Sequence, residues 1–176
     1  MGGLVDDLLL LAHLDQQRPL NVTEVDLAAL AADGVADARA RDPRRRIEFT
    51  VPDWPVEVSV DADRFRQVIA NLLGNALIHT APGTPVHVSL TSTNGYARLV
   101  VSDDGPGLEP DQLARLFERF YRAEASRTRA RGGSGLGLAI VQAVVVACGG
   151  TVVVTSGDSG GTAFTVTLPL RAGSHS

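Results

Sequence analysis

Four polar clusters in this chain combine residue types and spacings suited to chemistry. Asn71, Asn75 and His79 recur at four-residue intervals, which on a helix stacks their side chains along one face. Asparagine is a poor helix former, so two in register at the end of an apolar helix ask for a reason. Amide oxygens are hard, neutral ligands suited to Mg²⁺, an ion usually held by few protein oxygens together with water and substrate phosphates. The ordinary alternative is a polar face whose amides merely satisfy their hydrogen bonds. The second cluster is VVSDDGPGL, where a strand ends on Asp103 and Gly105 and Gly107 follow. A flat ligand can approach glycine backbone closely there and donate hydrogen bonds to the carboxylate; an Asp-Gly turn is the plainer reading. In RGGSGLGLAIV, glycines at 132, 133, 135 and 137 lead into a helix, so open backbone N–H groups and the helix dipole can meet phosphate. FERFYR, between the last two, offers Phe117, Phe120 and Tyr121 as anchors and Arg119 and Arg122 as cations for an anion, or simply helix-end packing.

The elements that must position these clusters follow from periodicity and punctuation. Leu4, Leu8, Leu11 and Leu14 mark an amphipathic helix that stops near Gln17, since Pro19 disfavours helix at Arg18. Pro19 to Val25 reads as extended, and Asp26 caps a second helix from Leu27 to about Ala40. RARDPRRR is a charged loop, and IEFTV and VEVSV alternate as half-buried strands do. Asp61 caps a helix running to Thr80, with Phe65, Val68, Ile69, Leu72, Leu73 and Ala76 on its apolar face. Strands Pro85–Thr91 and Ala97–Ser102 are joined by a turn containing Asn94-Gly95, a hairpin signal. Glu109–Phe120 reads as a short helix, Arg122–Ser134 as a mobile loop, and Gly137–Ala147 as a helix ended by Gly149-Gly150. Strands Thr151–Thr155 and Thr162–Leu168 close the chain across the turn-rich SGDSGG. The sum is α+β: helices on one face of a mainly antiparallel sheet.

Composition removes many chemistries. The chain has 176 residues, 44% of them hydrophobic, and a formal charge of −4, so it suits one domain and carries no global field for nucleic acid or acidic membranes. RARDPRRR and SRTRAR lack interleaved aromatics, which makes nucleic-acid binding through them a poor reading. Every basic residue among the 16 Lys and Arg is Arg; P-loop lysine, the phosphate-pairing lysine of Ser/Thr/Tyr protein kinases and Schiff-base chemistry are therefore excluded. Cys148 alone gives no internal disulfide and no multi-cysteine zinc site. A GxGxxG dinucleotide site fails for want of a preceding strand, and an EF-hand for want of its aspartate ladder. The apolar runs are too short to span a bilayer, the start has no basic n-region, and the myristoylation pattern lacks its Ser or Thr.

Taken in order, NLLGNALIHT, SDDGPGL, LFERFYR and GGSGLGLAIV resemble the asparagine, first glycine, phenylalanine and second glycine boxes of the ATP-binding domain of sensor histidine kinases. The closing GGTVVVTS and GGTAFTVTLP are similar to that family too, and the match runs over about residues 22–170. The resemblance implies the two-layer α/β sandwich of the gyrase, Hsp90, histidine kinase and MutL ATPases, with ATP and Mg²⁺ bound. It implies that Asn75 coordinates Mg²⁺ and is catalytic together with Arg122, which reaches the terminal phosphate. Asn71 would support the metal or touch phosphate, Asp103 would bind the adenine amine, and Gly105 and Gly107 would line the base pocket. His79, Arg119, Leu136 and Leu138 would contact nucleotide, and Gly133, Gly135 and Gly137 would bound a lid over residues 122–134. Residues 1–18 would be the tail of the second helix of a dimerisation hairpin, 19–171 the catalytic domain and 172–176 a flexible tail.

Two positions depart from the pattern. Ile78 stands where the family usually carries Lys or Arg, a loss worth ~1–2 kcal/mol of phosphate binding on the scale of a charge-assisted hydrogen bond. The acceptor motif, His-Glu/Asp-x-x-x-Pro, is missing: His13 is followed by Leu14, His87 lies in a strand and His175 in the tail. The resemblance thus implies the phosphoryl-donating half of a kinase, acting on a hairpin histidine elsewhere in a homodimeric, membrane-bound parent and serving a cognate response regulator, with this portion cytoplasmic and monomeric by itself. An anti-sigma Ser/Thr kinase, a gyrase-like ATPase and a nucleotide-free docking module are the alternatives.

Overall fold

The computed structural model describes residues 3–122 and 133–172. Helix α1 (Gly3–Asp15) is followed by β1 (Thr23–Asp26), α2 (Leu27–Arg41), β2 (Ile47–Thr50), β3 (Glu57–Val60) and α3 (Ala62–His79). Then come β4 (Val86–Thr93), β5 (Tyr96–Asp103), α4 (Pro110–Arg115), α5 (Gly137–Ala147), β6 (Thr151–Gly157) and β7 (Gly160–Pro169). The expected capping residues act as such. Asp26 accepts the Ala28 N–H and also that of Val56, so one carboxylate starts α2 and ties it to the entry of β3. Asp61 accepts the Arg64 N–H on one oxygen and the Asn21 N–H on the other.

Five strands form one sheet in the order β2-β4-β5-β7-β6, antiparallel except for β2 with β4. That pair is parallel because the chain crosses from β2 to β4 through α3. The β4–β5 hairpin turns on Asn94, at φ 53°, and Gly95, in register over all eight residues of each strand. β1 and β3 pair in a separate two-stranded sheet, joined to the end of β7 by a bridge between Val58 and Leu170. The apolar faces of β4, β5 and β7 (Val86, Val88, Leu99, Val101, Phe164, Val166) pack beneath α3, whose Phe65, Val68, Ile69, Leu72 and Leu73 are buried as the periodicity requires. α2 and α5 flank α3 in the helical layer, and α1 lies against α5.

Two segments differ from the sequence reading. The helix expected over Glu109–Phe120 ends at Arg115. Phe120 sits at φ 61° and gives its N–H to the Gly135 carbonyl, so a cross-chain bond replaces the helical one. At the other hairpin, β6 and β7 run further into SGDSGG than expected and leave Asp158 and Ser159 as the turn. The loop read as mobile and as a lid lies, over residues 123–132, outside the described residues, as do residues 173–176 of the tail.

The loop between α2 and β2 contains one buried charge. Arg45 donates to the Leu77, Ala81 and Thr84 carbonyls at 2.8–3.1 Å, to Thr80 Oγ1 at 2.8 Å and to the Asp42 carboxylate at 3.2 Å. Helix ends leave carbonyls without partners, and this guanidinium takes up those at the end of α3 and in the loop to β4. On the solvent face of the sheet, His87 lies between Asp104 at 3.1 Å and Glu48 at 3.0 Å, the latter also paired with Arg46. Its imidazole pKa is raised, chiefly by the bond to Asp104 and further by Glu48.

Replacing Arg45 with Met leaves several buried carbonyls without donors, and urea unfolding should show a loss of about 3 kcal/mol or more. A loss below about 1 kcal/mol would show that water substitutes for the guanidinium. Because the folded state raises the His87 pKa, its contribution is complete below the ordinary histidine range and is lost as pH rises through the raised value. Unfolding across mildly acidic to mildly alkaline pH should show the advantage of wild type over His87→Gln shrinking toward alkaline pH; an advantage independent of pH contradicts this ion-pair assignment.

Candidate functional site

A cavity of about 640 Å³ opens between the polar side of α3, the end of β5, the residues leading to α4, Tyr121–Arg122 and the start of α5. Its lining includes Asn71, Asn75, His79, Asp103, Gly107, Arg122, Gly133, Gly135, Gly137 and Leu138. The three box-like segments and Arg122 therefore converge on one space, each brought by a different element.

Asp103 forms one end of it. It is the last residue of β5, only 8% exposed, directly opposite Thr162 on β7. One carboxylate oxygen accepts the Gly105 N–H at 2.9 Å. Burial pushes the Asp103 pKa up, while backbone bonds from Gly105 and Thr162 and the nearby Arg45 charge pull against that. A side chain at Gly105 would put its Cβ 2.7 Å from the Asp103 carboxylate and 2.8 Å from Thr80 Cγ2. Glycine here keeps the carboxylate reachable.

The other end is made of α3 and α5. Asn71 donates to the Gly137 carbonyl at 3.1 Å and so locks the first turn of α5 against α3. Asn75, one turn on, forms no side-chain hydrogen bond among the described residues and borders the cavity. α5 begins without a side-chain cap at Leu136, so its leading N–H groups have no side-chain acceptor at that position. The described residues contain no group of three or more His, Cys, Asp or Glu able to hold a metal. A divalent cation here would rest on amide oxygen and on the ligand's own oxygens, and Asn75 has the chemistry for that with Mg²⁺.

Phe117 packs edge-on to Phe164, centroids 6.3 Å apart, and the Arg115 guanidinium stacks on Tyr121 at 4.7 Å. Gly135, at φ 76°, would place a Cβ 2.9 Å from the Phe120 backbone. These contacts hold the residues beside Arg122 and Gly133, which both border the cavity.

Three residues expected at a ligand do not line the cavity, although Gly105 touches the Asp103 carboxylate. Gly105 and Leu136 are not part of the lining; Leu136 is fully buried in the core. Arg119 makes a bidentate pair with Asp15 of α1, both contacts at 2.7 Å, and so ties α1 to the segment after α4. Sequence reading missed Thr162, Arg41 and the approach of α1, whose Gly3, Leu4 and Asp7 border the cavity. Thr162 was legible only through strand register. Nothing local marks Arg41, an arginine entering an arginine-rich loop. Among the described residues no helix is long and apolar enough to cross a membrane.

A family model described as histidine kinase-, DNA gyrase B-, and HSP90-like ATPase matches residues 60–172. The probable sensor histidine kinase TcrY of Mycobacterium tuberculosis is 47% identical over 95% of this chain and 35% of its own length. This chain thus spans about a third of the curated relatives it matches. Among solved structures, the mycobacterial sensor histidine kinase MprB is 34% identical with a TM-score of 0.74, over 85% of this chain and 98% of that one. Full-length ShkA, solved in complex with AMPPNP, is 31% identical with a TM-score of 0.81, over 98% of this chain and 36% of that one. With its boxes converging on one cavity in that fold, the chain belongs to the histidine kinase-, DNA gyrase B-, and HSP90-like ATPase family, on the side of its sensor histidine kinases.

Proposed function

We propose that this chain binds Mg·ATP and donates the γ-phosphoryl group to a histidine outside it, as the catalytic portion of a two-component sensor histidine kinase. The observation that carries this is the polarity of the cavity: a buried carboxylate at one end, and amides, an uncapped helix start and Arg122 at the other. A purine with an exocyclic amine fits the first end and a polyphosphate the second.

In this reading Asp103 accepts the adenine amine, Gly107 lines the base, and Thr162 steadies the carboxylate from the facing strand. Asn75 would offer its amide oxygen to Mg²⁺, and the ion would supply charge neutralisation for the phosphates. Asn71 acts through its hold on Gly137, keeping the N–H groups of α5 aimed at phosphate. His79, Gly133, Gly135 and Leu138 complete the walls, and Arg122 would meet the charge of the γ-phosphoryl group as it is transferred, with ADP as the leaving group. Phosphoryl transfer needs mainly such positioning and neutralisation. His13 is exposed on α1 but lacks the acceptor motif, so the acceptor and its assisting acid come from a hairpin of which residues 1–18 are the tail. Residues 19–171 form the catalytic domain, within a homodimeric, membrane-bound parent that serves a cognate response regulator from the cytoplasmic side. The domain by itself is monomeric, binds ATP and transfers little phosphate.

Calorimetric titration tests this directly. Wild type should bind ATP in the micromolar range with Mg²⁺ present, and Asp103→Asn should weaken binding at least about tenfold, the order of a lost charge-assisted hydrogen bond. Burial raises the Asp103 pKa, so its ionised form disfavours folding above the ordinary aspartate range. The same variant without ligand should therefore melt no lower than wild type at neutral pH. Unchanged ATP affinity in a folded Asp103→Asn would overturn the assignment. In Asn75→Ala the affinity gained by adding Mg²⁺ should largely vanish, while binding measured in excess chelator stays as in wild type; a full Mg²⁺ effect would remove Asn75 from the metal.

A further inference from the structure

Four side chains of definite charge border the cavity among the described residues: Asp7, Asp103, Arg41 and Arg122. Without Arg41 the lining would carry one net negative charge, a poor host for a polyphosphate; with it the formal sum is zero. Arg41 closes the last turn of α2, on the far side of α3 from α5. It also borders a small groove between α2 and α3, and it shares with the main cavity the two small residues Ala70 and Gly74 of α3. A Cβ added at Gly74 would meet nothing within 4 Å. Ala70 and Gly74, one helical turn apart, thus leave a notch of small residues on α3, and both the groove and the main cavity run from it to Arg41 at the end of α2. Arg41 is exposed and forms no hydrogen bond or ion pair among the described residues, even though Asp37 stands one turn before it. On the same rim Ile78 is apolar and 37% exposed.

Building on the nucleotide reading above, we propose that Arg41 is a phosphate-binding residue of this site, supplying across the Ala70–Gly74 notch the cation that Ile78 does not provide. The ligand it recognises is the polyphosphate of the nucleotide, not the base.

Titration of ATP and of adenosine into wild type, Arg41→Gln and Arg41→Lys tests it. Arg41→Gln should weaken ATP about tenfold and leave adenosine unchanged, Arg41→Lys should lie between, and all three should melt alike. Adding Ile78→Arg to Arg41→Gln should recover ATP affinity, because the new cation would stand on the same rim. ATP affinity unchanged in Arg41→Gln, or ATP and adenosine weakened equally, would overturn the inference while the function stands. Failure of wild type to bind ATP at all would instead overturn the functional reading, and this inference with it.

Discussion

The guanidinium of Arg45 is the constraint on which the geometry of the site rests. A buried charge is tolerated only when every donor finds a partner, and here the partners are the carbonyls and hydroxyl where α3 ends and the chain turns into β4. Those bonds hold Thr80, whose own hydroxyl donates to the Ala76 carbonyl. Thr80 in turn stands where a side chain at Gly105 would collide. The position of the Asp103 loop is thus traced, through two packed contacts, to an arginine that is not part of the cavity lining. Its charge also opposes the rise that burial imposes on the Asp103 pKa.

α3 shows how one helix serves both core and site. Its buried stripe is anchored on the sheet, so its polar edge has no freedom to wander. The two asparagines on that edge differ in use: Asn71 donates its amide to Gly137 and fixes one helix against the other, whereas Asn75 borders the cavity and makes no side-chain hydrogen bond among the described residues.

Most elements were legible because their signals are local. Caps at Asp26 and Asp61, the Asn94-Gly95 turn and the apolar period of α3 all act within a few residues. Convergence of the Asn, Asp and Gly segments was legible only as an ordered set of motifs. What escaped was decided by distant partners. The early stop of α4 follows from the bond between Phe120 and Gly135, and the burial of Leu136 from its place in the core. The diversion of Arg119 depends on Asp15, which lies 104 residues away. The division of β1 and β3 from the main sheet is a matter of register that short strands do not encode.

The bond from the Phe120 N–H to the Gly135 carbonyl, 2.9 Å long, joins two points fifteen positions apart along the chain and closes the backbone between them into a ring. A side chain at Gly135 would collide with the Phe120 backbone, so a single substitution there would loosen both flanks of the clasp at once, Tyr121 and Arg122 on one side and Gly133 and Ser134 on the other, where they border the cavity.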